Sequence, residues 1–374
     1  MRIVFFGRYG RAVTSKTLEE GGLGGSESAL IYMALELRRL GHEVIVFNNC
    51  GDQRGDYDGV KYHDVSELNQ FIETKTAVDV FMLFRDLDFL KIIGKNAALL
   101  GLKKVVYWAH DDQSYLWENK PALAEVGRWL NEFTDRVFAV SKWQASIYID
   151  KFGVSPGKIY ETRNGVNLDL FRENIARKPD RLIYSSVPDR GLDLLCEMYP
   201  RIRARVPAEL YVFSSFKVYG SPETDEKMQE IFARAKTTGI RLMEPVIQRE
   251  LAKEMQKSYL LLYPNHQATL HPVFAETSCI TVLEAQAAGT PVITSDRGAL
   301  PESVIDRETG IIIPGDPYSN EYQNKFVEAT VNLLQGQQLW ENFSWNARTR
   351  IFSRYSWAGI AKEWEAELSR LVST

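Results

Sequence analysis

Cysteine is scarce. The three residues, Cys50, Cys196 and Cys279, are spread over a 374-residue chain, which excludes a disulfide-stapled scaffold and every zinc module built on closely spaced thiols. Histidine is nearly as rare, at five residues without a clustered ligand pattern, so no metal site is expected. No apolar run approaches the roughly 18 residues that a bilayer-spanning helix needs. The opening MRIVFFG reads as a first strand rather than a secretory leader, and the chain is expected to fold in the cytoplasm. Excess charge is missing too. The net charge is −4 at pH 7, with 21 Lys and Arg against 23 Asp and Glu in residues 1–170, and 24 against 26 beyond them. Neither half is a basic lobe, so nucleic acid is not an expected partner. What remains is an ordinary globular composition at a length suited to two domains.

The most informative stretch is Ala275 to Asp296, AETSCITVLEAQAAGTPVITSD. Glu284, Ala285, Ala287 and Ala288 lie in a helical run that Gly289 closes, the small residues letting the helix sit close to a sheet. Thr290 to Ser295 then reads as a strand covered on both faces, because its apolar residues do not alternate. Backbone N–H groups at the helix start, near Ser278, Cys279 and Ile280, suit a phosphate. Glu276 and Glu284 flank that seat. They are either hydroxyl-binding acids of a ligand site, or an acid interacting with the helix start and a partly solvated helix residue.

Along the rest of the chain, strand and helix patterns alternate. Arg2 to Gly7 is a strand, Ser28 to Leu40 a helix and His42 to Phe47 a second strand, with Gly21–Gly22–Leu23–Gly24–Gly25 ahead of the helix. This βαβ unit lacks the spacing of a dinucleotide-binding fingerprint. Its glycines are expected to permit positive φ and close ligand approach, and Arg8, Arg11 and Lys16 in the preceding loop are either ligand-facing or solvated. Val60 to His63 reads as an edge strand. Further strands at Val78 to Phe84 and Lys103 to Trp108 deliver Arg85–Asp86 and His110–Asp111–Asp112 to their C-terminal ends, where open parallel sheets bind ligands. Arg85 and Asp86 read equally well as an internal ion pair. Tyr115 and Trp117 suit sugar stacking or packing, and Ser141 is an N-cap. A second sheet starts at Arg181 to Ser185, followed by the loop Ser186 to Gly191. There Arg190 is placed to meet a pyrophosphate through bidentate, charge-assisted bonds. Lys217, His266, His271, Val246 and Ile247 lie in later loops, the two histidines being weak zinc candidates. Trp345, Phe352, Tyr355, Trp357 and Trp364 fall at core-like spacings in the terminal helices.

Glu276, seven residues, Glu284, and then Ala-x-Ala-x-Gly-x-Pro-Val-Ile resembles the signature of retaining glycosyltransferases of family four. Asn164–Gly165–Val166–Asn167 is similar to that family's inter-domain junction, and Arg190–Gly191 to its phosphate-binding Lys–Gly. The resemblance runs nearly end to end and implies an α/β fold of the GT-B type: two Rossmann-like parallel-sheet domains facing a central cleft. Residues 1–171 would form an acceptor-side domain and 172–342 a nucleotide-sugar domain, with helices in 343–374 crossing back onto the first. It implies transfer of a sugar, most simply a hexose, from a UDP-, GDP- or ADP-sugar to an acceptor hydroxyl, with retention and without a metal or other cofactor.

By that resemblance Glu276 contacts the donor sugar, Glu284 holds the ribose, and Arg190, Cys279 and Ile280 face the phosphates. Gly24 and Gly25 close over the phosphates, and His110 orients the sugar near the reacting centre. Two departures stand out. Thr277–Ser278–Cys279 replaces the usual Gly–Phe–Gly, and Ser185 occupies the position of a second phosphate-binding Arg, for which Lys217 is the candidate substitute. The family's acceptors are glycans and glycolipids, which implies surface glycan synthesis and loose association with the inner membrane face. Alternatives are a nucleotide-sugar epimerase on the same fold and a nucleotide-sugar-binding protein without turnover.

Overall fold

A computed structural model describes residues 1–374 apart from 9, 98–99, 216–225 and 267–274. The chain forms two units, one of Met1–Leu18, Gly24–Asn164 and Trp357–Thr374, the other of Glu19–Leu23 and Gly165–Ser356. Each is built on a sheet covered by helices, the expected pair of Rossmann-like domains.

In the first unit the strands are β1 (Arg2–Phe6), β2 (Glu43–Asn48), β3 (Gly55–Tyr57), β4 (Val60–Asp64), β5 (Val78–Phe84), β6 (Leu102–Ala109), β7 (Arg136–Ala139) and β8 (Ile159–Glu161). Their spatial order is β3-β4-β2-β1-β5-β6-β7-β8. All neighbours pair in parallel except β3 and β4. Val60 to Asp64 is therefore not the edge. The polar Gly55–Tyr57 segment folds back antiparallel and takes that place, a common way to blunt an open sheet. Chain order reverses between β1 and β5, so the loops leaving these strands diverge and open a crevice at their C-terminal ends.

In the second unit β9 (Arg181–Ser185), β10 (Glu209–Phe213), β11 (Arg241–Met243), β12 (Leu260–Tyr263), β13 (Val292–Ser295) and β14 (Gly310–Ile313) follow the order β11-β10-β9-β12-β13-β14. All pairs are parallel. Numbered from its own first strand this is 3-2-1-4-5-6, the doubly wound dinucleotide-fold order, with its switch point between β9 and β12. β9, β12 and β13 are buried along their whole length, as non-alternating apolar strands under helices on both faces must be.

Domain borders differ from the sequence expectation. The crossing falls at Asn164–Gly165 rather than after residue 171, and the return begins at Trp357 rather than at residue 343. Packing explains the second difference. The Gln337–Arg354 helix buries Phe343 and Ile351 in the second core. Its Trp340 stacks on Tyr259 at 4.2 Å and donates from Nε1 to the Tyr259 carbonyl. Phe352 and Tyr355 pack on the same core, while Trp345 is 72% exposed. Only the Trp357–Ser373 helix lies on the first unit. There Trp364 meets Trp108 and Phe138 edge-on at 4.7 and 4.8 Å, and its Nε1 donates to Thr162 Oγ1 at 2.7 Å. Glu363 and Glu367 of this helix pair with Arg163 and Arg136.

Trp364→Ala would remove a fully buried indole and orphan the Thr162 hydroxyl. The expected loss is about 3–5 kcal/mol, read as a lower urea midpoint for the first unit, with a smaller change in the second unit's transition.

Candidate functional site

At the switch point of the second sheet three chain segments meet around one carboxylate. The loop leaving β9 forms a short 3-10 turn, Pro188–Arg190, and ends at Gly191 with φ +127°. A Cβ at Gly191 would stand 2.5 Å from the Pro264 carbonyl oxygen, so this loop can press against the end of β12 only with glycine there. That contact sets where Arg190 emerges. Its Nη1 donates to Glu276 Oε1 at 3.1 Å. Tyr263, the last residue of β12, donates from Oη to the same oxygen at 2.5 Å and accepts from Asn265 Nδ2 at 3.4 Å. Burial, with Cys279 and Glu276 close by, drives the Tyr263 phenol well above its ordinary range, so it remains a proton donor.

Glu276 is 4% exposed, and its backbone is held as firmly as its side chain. Ala299 N–H donates to its carbonyl at 2.7 Å. Gly298, at φ +55°, lies so close beneath it that a Cβ would come within 2.2 Å of that oxygen. Three residues on, Cys279 caps the Ile280–Ala287 helix, whose first-turn N–H groups have no carbonyl partner within the helix. Burial raises the Cys279 thiol well above its ordinary value, helped by Glu276, which makes it a poor nucleophile. At the other end of this helix the carbonyls are answered by arginine. Arg348 donates to Ala287 O at 2.9 Å and Arg177 to Ala288 O at 2.6 Å. Gly289 turns the chain away at φ +67°, as its place after the alanine run predicts.

Glu284 lies inside the same helix and is 6% exposed. Gln248 Nε2, at the start of the Gln248–Lys257 helix, donates to its Oε1. Burial outweighs that bond and raises the carboxyl from 4.5 to about 7. It is thus not the partly solvated helix residue of the plainer sequence reading. Val246 and Ile247, immediately before Gln248, are half-buried. Deeper in the unit, His266 pairs with Asp193 at 2.8 Å and with the Tyr318 hydroxyl at 3.0 Å, which gives it a structural set of partners rather than a zinc. Lys217, the substitute named for the Ser185 position, and His271 lie outside the described residues. Among the described residues no group of three His, Cys, Asp or Glu side chains is arranged to hold a metal ion.

The switch point of the first sheet is a charge-compensated cluster. Arg85 leaves β5 with φ +63°, a left-handed conformation that a non-glycine residue holds at a cost of about 1–3 kcal/mol. Its guanidinium forks onto Asp111 at 2.8 and 3.0 Å and donates to Ser26 Oγ at 2.8 Å. Burial opposes its charge, but Asp111 and Glu27 outweigh burial and raise its pKa. Asp86 takes two bonds from Arg8 and caps the Leu87–Asn96 helix through Phe89 N–H. Both members of the Arg85–Asp86 pair therefore have internal partners, though not each other.

Gly25 opens the Gly25–Arg39 helix and Gly24 is its cap at φ −67°, so positive φ is not the reason for glycine at position 24. His110 follows β6 and packs edge-on against Trp108 and Phe84. Burial and the nearby Arg85 hold its imidazole well below the ordinary range, so it is neutral at pH 7. Tyr115 is exposed, whereas Trp117 packs under the Lys151 ammonium. Sequence reasoning passes over Tyr263 and Gln248 as site residues. The only signal for the first was a tyrosine at the C-terminal end of a buried strand beside a switch point.

Two family models match the chain. One described as Glycosyl transferases group 1 covers residues 180–335, and one described as Glycosyltransferase Family 4 covers residues 23–170. A D-inositol 3-phosphate glycosyltransferase of Streptomyces bingchenggensis is 27% identical over 202 residues, 48% of this chain and 42% of that protein. A GDP-mannose-dependent alpha-(1-6)-phosphatidylinositol monomannoside mannosyltransferase of Mycobacterium tuberculosis is 28% identical over 251 residues, 60% of each. The chain spans about half the length of the first curated relatives it matches. Among solved structures, a sucrose-phosphate synthase from Thermosynechococcus elongatus aligns over all of both chains with a TM-score of 0.78 at 15% identity. HepE of Anabaena, solved with UDP-glucose, aligns over 99% of this chain and all of its own with a TM-score of 0.74 at 15% identity.

The raised Glu284 carboxyl has a measurable consequence. An acid whose folded pKa exceeds its unfolded value keeps the proton bound to the native state, so stability falls as pH rises from about 4.5 to about 7. Glu284→Gln is expected to remove this fall. Relative to wild type it should gain on the order of 2–3 kcal/mol between pH 4.5 and pH 8 in urea unfolding.

Proposed function

The chain belongs to glycosyltransferase family 4, and we propose that it transfers a hexosyl group from a nucleoside diphosphate sugar to an acceptor hydroxyl, with retention at the anomeric carbon. The observation that carries this reading is the meeting of Arg190 and Glu276 at the switch point of the second sheet, with a helix start and the buried Glu284 immediately beyond. A diphosphate over that helix start would meet N–H groups and the Arg190 guanidinium. The sugar would then reach Glu276 on one side and the ribose hydroxyls Glu284 on the other. The bound nucleotides of the structural relatives, UDP and UDP-glucose in HepE, support a donor of this class.

In the proposed reaction the bond from the anomeric carbon to the β-phosphate oxygen breaks, and its electron pair leaves with the nucleoside diphosphate. The acceptor oxygen attacks the same face and passes its proton to the departing phosphate. Charge growing on that phosphate is met by Arg190 and by Ile280-end peptide dipoles already in place, so the step calls on no metal. His110, neutral and held edge-on between aromatic rings, is suited to bond a sugar hydroxyl rather than to act as a cationic acid. By analogy with the mycobacterial mannosyltransferase, we assign the activity to glycan or glycolipid synthesis at the inner face of the membrane, the acceptor bringing the enzyme there. Among the described residues no helix is long and apolar enough to cross a bilayer.

Arg190→Ala is expected to lower kcat by roughly 10²–10³ with a smaller change in donor KM. Glu284→Gln should act mainly on nucleotide binding, weakening UDP or GDP by roughly tenfold or more. Because ribose hydroxyls bond the ionised carboxylate, wild-type nucleotide affinity should rise from pH 6 to pH 8, and calorimetry in two buffers should detect proton release. Glu284→Gln should abolish that pH dependence. Affinity independent of both pH and the substitution would remove Glu284 from the ribose. Product anomers assigned by NMR test retention.

A further inference from the structure

We infer that Tyr263 is a positioning residue for the donor sugar, acting through Glu276, an inference that rests on the proposed donor site. Its basis is how the hydrogen bonds divide between the two carboxylate oxygens. Arg190 Nη1 and Tyr263 Oη both donate to Oε1, at 3.1 and 2.5 Å. Among the described residues no hydrogen bond to Oε2 is present, and that oxygen is not sealed away without a partner. Two donors on one oxygen fix the rotation of the carboxylate and present the other oxygen outward as an acceptor for a sugar hydroxyl. Arg190 alone does not achieve this. Its guanidinium sits on a loop and is needed for the phosphates, whereas Tyr263 is fully buried at the end of a central strand.

The surroundings favour that role for the phenol. Tyr184 on β9 lies 6.1 Å away, ring to ring, and sends its own hydroxyl to the Val187 carbonyl at 2.6 Å. Asn265 donates to Tyr263 Oη from behind, so the phenol proton is directed to Glu276. Cys279, a buried thiol ahead of the helix whose side chain also hydrogen-bonds the phenol, and Arg190 complete the titratable and charged neighbours. A thiol is a weak acceptor beside a carboxylate, so Glu276 Oε1 is the phenol's stronger acceptor. Arg190 can thus follow the leaving phosphate during turnover while Tyr263 keeps Glu276 oriented.

The test compares Tyr263→Phe, Glu276→Gln and the double variant, using calorimetric affinities for UDP against UDP-glucose and for GDP against GDP-mannose, with thermal unfolding as a check on folding. The extra affinity of the sugar nucleotide over its bare nucleotide isolates the sugar contact. Tyr263→Phe is expected to leave nucleotide affinity within about twofold and to cut the sugar increment by roughly tenfold, the effect of one hydrogen bond to a charged group. In the Glu276→Gln background the same substitution should change the increment by less than about twofold, because the oriented carboxylate is already gone. An equal loss in both backgrounds, or no loss in wild type while Glu276→Gln abolishes the increment, would overturn the positioning role alone. A sugar increment untouched by Glu276→Gln would overturn the donor-site reading, and the inference with it.

Discussion

One carboxylate oxygen organises the second unit. Glu276 Oε1 takes a hydrogen bond from a strand-end tyrosine and another from a loop arginine, while the peptide behind it is clamped by the Gly298–Ala299 turn. A buried carboxylate is costly unless its charge is answered, and both answers arise from the sheet's strand order. Because chain order reverses between β9 and β12, the loop carrying Arg190 and the strand end carrying Tyr263 become neighbours. Gly191 lets the loop lie directly on Pro264. Topology, two glycines and one ion pair are thus a single arrangement.

The first unit treats charge differently. At its own switch point Arg85 and Arg8 are met by Asp111, Asp86 and the more distant Glu27, so neither arginine is surplus. The strained backbone at Arg85 is maintained because its guanidinium is fixed at both ends of the fork and by Ser26. A cluster of this kind ties the start of the glycine-led helix to two strand ends. It orders loops without lending the surface a net positive field.

Much of this was legible in the sequence, for physical reasons. β9, β12 and β13 are uninterrupted apolar runs because both their faces are covered. Gly289 could be read as a helix stop because its left-handed backbone strongly favours glycine. Ser141 caps its helix through Gln144 N–H as its residue type suggests. Short-range signals of that sort fail where contacts are long-range. Nothing in the local pattern ties Arg85 to Asp111, 26 residues away, or Gln248 to Glu284, 36 away. The exposed strand β3 is too short and polar to announce itself. The terminal helices both carry aromatic residues, yet pack on different cores, and the choice of core is a long-range contact that local pattern does not encode.

The arginines at the far end of the Ile280–Ala287 helix carry a consequence of their own. Eight residues span only about 12 Å, so a helix this short, left to its own hydrogen bonds, is marginal in water. Arg177 and Arg348 stake its last carbonyls in place, and their guanidiniums are themselves desolvated. The peptide units are therefore aligned before anything arrives at the opposite end. An anion binding there, as proposed, would meet a prepoled rod rather than a segment that must first be ordered, the entropy of forming it having already been spent in folding.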